Sequence, residues 1–200
     1  MVGTFSDLSA FSFYPSKNLG ANGDAGMVAS NNEELAKKLK LLRNYGFEDR
    51  YNSVIRGFNS RLDEIQAALL DFKLLKLDAW NQRRREIAKK YIEGLKDLPV
   101  VLPVMQPDAF QVFHLFVIRV RQRAKLIDYL LREGITALIH YPIPIHLQPA
   151  YSYLGYKRGD LPVTEKLSEE ILSLPIYPEL EDSEVEYFIE KIRQYYKNQV

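Results

Sequence analysis

Phe11-Ser12-Phe13-Tyr14-Pro15-Ser16-Lys17-Asn18-Leu19-Gly20-Ala21-Asn22-Gly23-Asp24-Ala25-Gly26 joins two short apolar runs through a lysine-bearing turn and a loop punctuated by glycine. From Ser9 to Tyr14, Phe11 and Phe13 alternate with Ser12 and Tyr14; with Pro15 as the boundary this predicts a short strand. Ala25 to Ala29 predicts a second. Most turn lysines are solvated point charges, and that plain reading of Lys17 stands beside a chemical one. A lysine on a tight turn, with the Ser12 hydroxyl upstream and glycines that let backbone approach closely, suits a Schiff base with an aldehyde cofactor whose phosphate needs an anchor. Pyridoxal 5'-phosphate is the cofactor that this pattern suggests.

The glycine loop also invites a nucleotide-binding reading. Gly20, Gly23 and Gly26 do not make G-x-G-x-x-G, no Walker lysine follows, and a strand rather than a helix comes next, so a turn between two strands fits better.

Further along, Asn31-Asn32-Glu33-Glu34 supplies an N-cap and acid for a helix running to Gly46. Its Lys37, Lys38, Lys40 and Arg43 read as a solvated face. From Ser60 a long helical pattern carries Leu62, Ile65, Leu69, Phe72 and Leu75 at spacings of three and four and continues to Leu95, with a weak spot near Asp78 to Asn81. Arg83, Arg84 and Arg85 read as a wet helix face. After Pro99 the texture changes to a β-prone run Val112 to Val120, a helix Lys125 to Glu133 stopped by Gly134, and a strand Ile135 to Ile139. This is a strand–helix–strand unit of a small α/β domain. Helices near Thr164 to Leu172 and Ser183 to Tyr196 complete the expectation.

The chain has 200 residues, 46% of them apolar, which is enough for one good core or two small ones. Its formal charge of +1 provides no overall field for nucleic acid, so an anionic ligand must be held by local groups. With no cysteine, thiolate metal sites, disulfides and cysteine nucleophiles are excluded. No apolar run reaches the roughly 18 residues of a membrane span, and no secretory leader pattern opens the chain. A cytoplasmic protein without a membrane partner is expected.

His140 and His146 lie in Ile139-His140-Tyr141-Pro142-Ile143-Pro144-Ile145-His146-Leu147-Gln148-Pro149, a loop stiffened by prolines. Two histidines without a third ligand or a shared helix face make a poor metal site. Substrate contact and plain loop packing both remain open for them, and His114 reads as a core or edge residue.

Several blocks taken together, F-S-F-Y-P-S-K-N-L-G-A-N-G-D-A-G, L-R-N-Y-G, G-F-N-S-R-L-D-E-I-Q-A-A-L-L, I-H-Y-P-I-P-I-H-L-Q-P-A-Y and L-S-L-P-I-Y-P-E-L, resemble successive blocks of the DegT/DnrJ/EryC1/StrS sugar aminotransferase family. Their order covers nearly the whole chain. The resemblance implies an α/β fold of the aspartate aminotransferase type (fold type I): a remnant of the large cofactor domain over 1–75, a connecting helix over 76–98 and a small α/β domain over 99–200. It implies a homodimer that transfers an amino group, usually from glutamate, to a keto group of a nucleotide-linked sugar, with pyridoxal 5'-phosphate as cofactor. By resemblance Lys17 is the Schiff-base lysine and proton carrier, and its presence favours transamination over the dehydration of relatives with histidine there. Ser12 matches the serine that binds the cofactor phosphate, and Asn59 the asparagine that reaches a neighbour's phosphate. Asn59 otherwise reads as a turn residue before a helix.

The loop at His140, Tyr141 and His146 resembles that of enzymes aminating the C3 keto position, which puts these residues near the substrate without assigning them a role. Family members are longer, with the lysine block near their middle. The expectation is therefore a C-terminal portion, lacking the aromatic and aspartate that serve the cofactor ring, inactive alone and prone to associate with itself or with an N-terminal portion. A non-catalytic oligomerising domain on the same scaffold is the alternative.

Overall fold

A computed structural model describes residues 3–198. Its contacts divide the chain between Asp78 and Ala79 into two compact units.

In the first unit β1 (Ser9–Ser12) pairs antiparallel with β2 (Gly26–Ala29), Ser9 opposite Ala29 and Ser12 opposite Gly26. One further bond, from the Phe13 N–H to the Ala25 carbonyl at 2.9 Å, ends the pairing before the chain turns at Pro15. The next element, α1 (Glu33–Leu42), is capped by Asn32, whose Oδ1 accepts from the N–H groups of Glu34 and Leu35. A small hairpin follows, β3 (Phe47–Asp49) with β4 (Asn52–Ser53).

The long helix expected from Ser60 is two helices, α2 (Glu64–Leu74) and α3 (Leu77–Leu95). Ser60 stays outside the helix, its N–H bonded to the Arg43 carbonyl at 2.9 Å, and Asp63 takes the N-cap position, with no side-chain cap bond. The break falls at Leu75 and Lys76 rather than near Asp78 to Asn81, and neither glycine nor proline marks it.

In the second unit α3 is followed by β5 (Phe116–Arg119), α4 (Arg123–Arg132), α5 (Pro162–Glu170), β6 (Ile171–Leu174) and α6 (Asp182–Lys197). Two sequence expectations change here. The run Ile135 to Ile139 gives only a single bridge, Leu138 to Ser173, and the helix expected to reach Leu172 yields at Ile171 to a strand. That strand, β6, pairs antiparallel with β5, with Phe116 opposite Leu174. A short apolar run is periodically ambiguous; burial of Leu172 and Leu174 beside Phe116 and Ile118 settles it. Ile87, Tyr91 and Leu95 recur every fourth residue along α3 and pack with these strands, with Leu126 and Leu130 of α4 and with Val185 and Ile192 of α6.

The arginine triplet is not a wet face. Arg84 is 6% exposed and donates to the carbonyls of Ile176 at 2.9 Å, Phe113 at 3.2 Å and His114 at 3.3 Å. Burial lowers its pKa, and Glu179 acts in the opposite direction. Arg83 pairs with Asp182 at 2.8 Å, and Arg85 donates to the Gln111 carbonyl while its guanidinium lies 4.1 Å above the Phe110 ring. Arg84→Met is expected to leave those carbonyls without a donor and lower stability by about 2–4 kcal/mol in urea titrations. Arg84→Lys should not restore it, since a single ammonium cannot reproduce the planar fork.

The units differ sharply in burial. Among the described residues of the first, only Ala21 and Leu70 are buried apolar side chains, while Phe58, Ile65, Phe72 and Leu75 are exposed. So little burial offsets little conformational entropy. In the 200-residue polypeptide, amide exchange is expected to run much faster before residue 78 than in β5, β6 and α3. Equal protection would contradict this.

Candidate active site

Ser12 ends β1 and is exposed; its Oγ accepts the Tyr14 N–H at 3.3 Å, so the hydroxyl keeps its own proton to donate. Lys17 is half-buried and closes the next turn, its N–H bonded to the Tyr14 carbonyl at 2.8 Å. The loop then folds back. The Ala21 N–H reaches the Phe13 carbonyl at 2.8 Å, and a Cβ on Gly20 would stand 2.4 Å from the Pro15 carbonyl oxygen, so only glycine lets the strands meet this way. Hydroxyl and amine thus share one short, internally bonded turn.

Asn59 lies on another connection of the same unit. It forms an antiparallel bridge with Asn44, flanked by bonds from the Phe58 N–H to the Leu42 carbonyl and from the Tyr45 N–H to the Phe58 carbonyl. A Cβ on Gly57 would stand 2.1 Å from the Gly46 nitrogen, so this crossing is as tight as the first. Asn59 is exposed, leaving its amide open to a group outside.

His140, Tyr141 and His146 belong to the second unit. The His140 Nδ1 is 2.9 Å from the Ser173 Oγ, and Tyr141, joined to it by a cis peptide bond, is 73% exposed with its ring edge-on to the imidazole. His146 is buried. Its Nε2 lies 3.0 Å from the Glu165 carboxylate, and the Tyr156 ring stands edge-on against it.

Glu165, absent from the sequence reading, organises this cluster. Besides His146, it accepts the Gly159 N–H at 2.8 and 2.9 Å and the Leu161 N–H at 3.3 Å. One carboxylate on α5 therefore ties His146 of the histidine loop to the backbone at Gly159 and Leu161 that leads into the helix. An acid in the first turn of a proline-started helix reads as a dipole partner, so the sequence carried no sign of this role. The hydrogen bond from His146 lowers the Glu165 pKa most; burial opposes it, and the backbone donors add to the lowering.

Among the described residues, no three or more His, Asp or Glu side chains lie together for a metal ion. An aldehyde cofactor with a phosphate fits the first unit instead, since a primary amine and a hydroxyl with a free proton stand on one fixed turn.

The mixed α/β architecture is that of the fold-type-I pyridoxal-phosphate enzymes. The crystal structure of DesV from S. venezuelae, in complex with a ketimine intermediate, matches with a TM-score of 0.93 at 46% identity, over 97% of this chain and 53% of that one. The chain belongs to the DegT/DnrJ/EryC1/StrS aminotransferase family, whose model matches residues 1–193. It is 46% identical to dTDP-3-amino-3,4,6-trideoxy-alpha-D-glucose transaminase of Streptomyces venezuelae, over 97% of this chain and 52% of that protein. It is also 47% identical to dTDP-3-amino-3,6-dideoxy-alpha-D-galactopyranose transaminase of Aneurinibacillus thermoaerophilus, over 97% of this chain and 53% of that protein. The chain spans about half the length of the curated relatives it matches.

A carboxylate with a lowered pKa stabilises the fold above its unfolded titration and loses that contribution as pH falls through the folded one. Glu165→Gln should therefore be less stable than wild type at neutral pH. The gap between their thermal midpoints should close as pH drops below the ordinary carboxylate range; a gap constant with pH would contradict this.

Proposed function

We propose that this chain carries the lysine half of a pyridoxal-phosphate aminotransferase that moves an amino group, from glutamate, to the C3 keto group of a nucleotide-linked deoxy or acetamido sugar. The observation that carries this reading is the turn joining Ser12 to Lys17, fixed by the fold-back of the glycine loop. The names of the two transaminases support the sugar and its carbon.

Pyridoxal phosphate, when bound, supplies an aldehyde to carry the amino group and a ring that withdraws electrons. The residues of this chain have four tasks. Lys17 would hold the aldehyde cofactor through Nζ and would carry a proton at that same nitrogen. Ser12 donates its hydroxyl proton to a phosphate oxygen. Asn59 extends its amide to the phosphate held by a second protomer. Tyr141, exposed on a loop backed by His140 and by the buried His146, faces the sugar nucleotide.

In this reading residues 1–75 belong to the cofactor domain, 76–98 to a connecting helix and 99–200 to the small domain. The enzyme works in the cytoplasm as a homodimer, and its cofactor site is completed by an N-terminal portion.

The test uses the protein together with such a portion, reduced with borohydride in the presence of pyridoxal phosphate and mapped by mass spectrometry. The cofactor mass is expected on Lys17. Lys17→Ala should lower amino transfer to a 3-keto nucleotide sugar by about 10²–10⁴-fold or more, the range for loss of a positioned acid/base. A Lys17→Ala protein as active as wild type would overturn the reading. Preference for a 4-keto sugar would overturn the assigned carbon alone. A protein that associates but neither takes up cofactor nor transfers nitrogen would be the non-catalytic scaffold.

A further inference from the structure

The block Arg61-Leu62-Asp63-Glu64-Ile65-Gln66-Ala67-Ala68-Leu69-Leu70 follows Asn59 and has no task in the chemistry above. In the structure it opens α2, and two polar side chains of that helix reach the loop behind Lys17. The Lys73 Nζ donates to the Gly20 carbonyl at 2.7 Å and to the Asn22 Oδ1 at 3.3 Å, and the Gln66 Oε1 accepts the Asn22 N–H at 2.8 Å. Gln66 and Lys73 are seven residues apart, two helical turns, so both project from one face. The Gln66 amide nitrogen also lies 3.4 Å from where a Cβ on Gly23 would stand.

The grip falls where it bears on the amine. Gly20 is the residue packed on the Pro15 carbonyl, and the next residue, Ala21, bonds back to Phe13. Holding the Gly20 carbonyl and the Asn22 N–H from outside therefore holds the far side of the turn that carries Lys17. Lys73 spends its Nζ on a carbonyl and an amide oxygen of the loop, so its part here is to hold backbone rather than to react.

We propose that Gln66 and Lys73 are positioning residues for Lys17, clamping the Gly20–Asn22 loop so that the amine meets its electrophile in one place. The inference rests on the aminotransferase reading. It concerns orientation rather than affinity, so its mark is a slower reaction at Lys17 with substrate binding unchanged.

The experiment compares wild type with Lys73→Met, Gln66→Leu and the conservative Lys73→Arg, each in the full chain completed as above. The first readout needs no cofactor. Exchange of the Lys17 and Ala21 amides should quicken in Lys73→Met and Gln66→Leu, while the amides of α3, β5 and β6 keep their wild-type protection, which also shows that the variants fold. The second is the rate of borohydride trapping at Lys17, mapped by peptide. It should fall by about 10-fold or more in both variants, as small misplacements of reacting groups do, with kcat falling alike and KM for the sugar nucleotide unmoved. Lys73→Arg, which keeps a donor at the same reach, should recover trapping to within about threefold of wild type.

Wild-type trapping at Lys17 with equal trapping in both variants would overturn this inference and leave the aminotransferase reading intact. A kcat unchanged while KM rises would overturn it as well. No trapping at Lys17 in wild type would overturn the aminotransferase reading and this inference with it.

Discussion

A primary amine on a flexible chain is a poor reagent until the backbone beneath it stops moving, and beneath Lys17 the restraint is the Pro15 carbonyl. Gly20 packs so close to that oxygen that no side chain fits between them. From this one approach follow the return of Ala21 to Phe13, the late start of β2 at Gly26 and the placement of the Gly20 carbonyl where Lys73 can take it. Proline contributes by having no N–H to satisfy and a fixed φ, which narrows the paths open to the turn. The turn is thus over-determined locally, although the unit around it buries very little.

The second unit solves a similar problem with a charge. Its core is built by α3, β5 and β6, while in the histidine loop Ile143 and Ile145 are exposed. Two polar contacts hold it: His140 to the Ser173 hydroxyl, and His146 to the Glu165 carboxylate, which also accepts from the N–H groups of Gly159 and Leu161. Acceptors in an ionised carboxylate make such bonds stronger than neutral ones. This gives His146 a different character from Tyr141. The first is part of the anchorage, and the second is the side chain that the anchorage leaves outside.

How much of this could be read from residues depends on the range of the forces involved. The turn at Pro15 to Lys17, the Asn cap of α1 and the stop at Gly134 are local, and the sequence shows them. The helix starts three residues later than Ser60 suggests: Phe58 and Ser60 pair with Leu42 and Arg43, some 17 residues away in sequence, and the chain is still extended there. β6 was hidden for the same reason, since Ile171-Leu172-Ser173-Leu174 has no period of its own and takes its form from Phe116 and Ile118. The arginine triplet failed in another way. Charge predicts solvent, and nothing along the chain announces that three carbonyls from two distant loops converge on Arg84. Glu165 failed alike. Chemistry and resemblance both point to Lys17 and Ser12, resemblance alone to Asn59, and the structure adds the bonding that sets their turns.

The faces of α2 connect the thinly buried unit to its chemistry. Gln66 and Lys73 repeat at seven residues and grip the loop; Ile65 and Phe72 repeat at the same interval one position earlier and are exposed. A helix that is apolar beyond a single stripe is built to be covered on more than one side. Any surface that buries Ile65 and Phe72 also restrains the axis from which Lys73 reaches Gly20. Ile65 and Phe72 lie about 100° round the helix from Gln66 and Lys73, so cover there bears on a face next to the one that holds the Gly20 carbonyl.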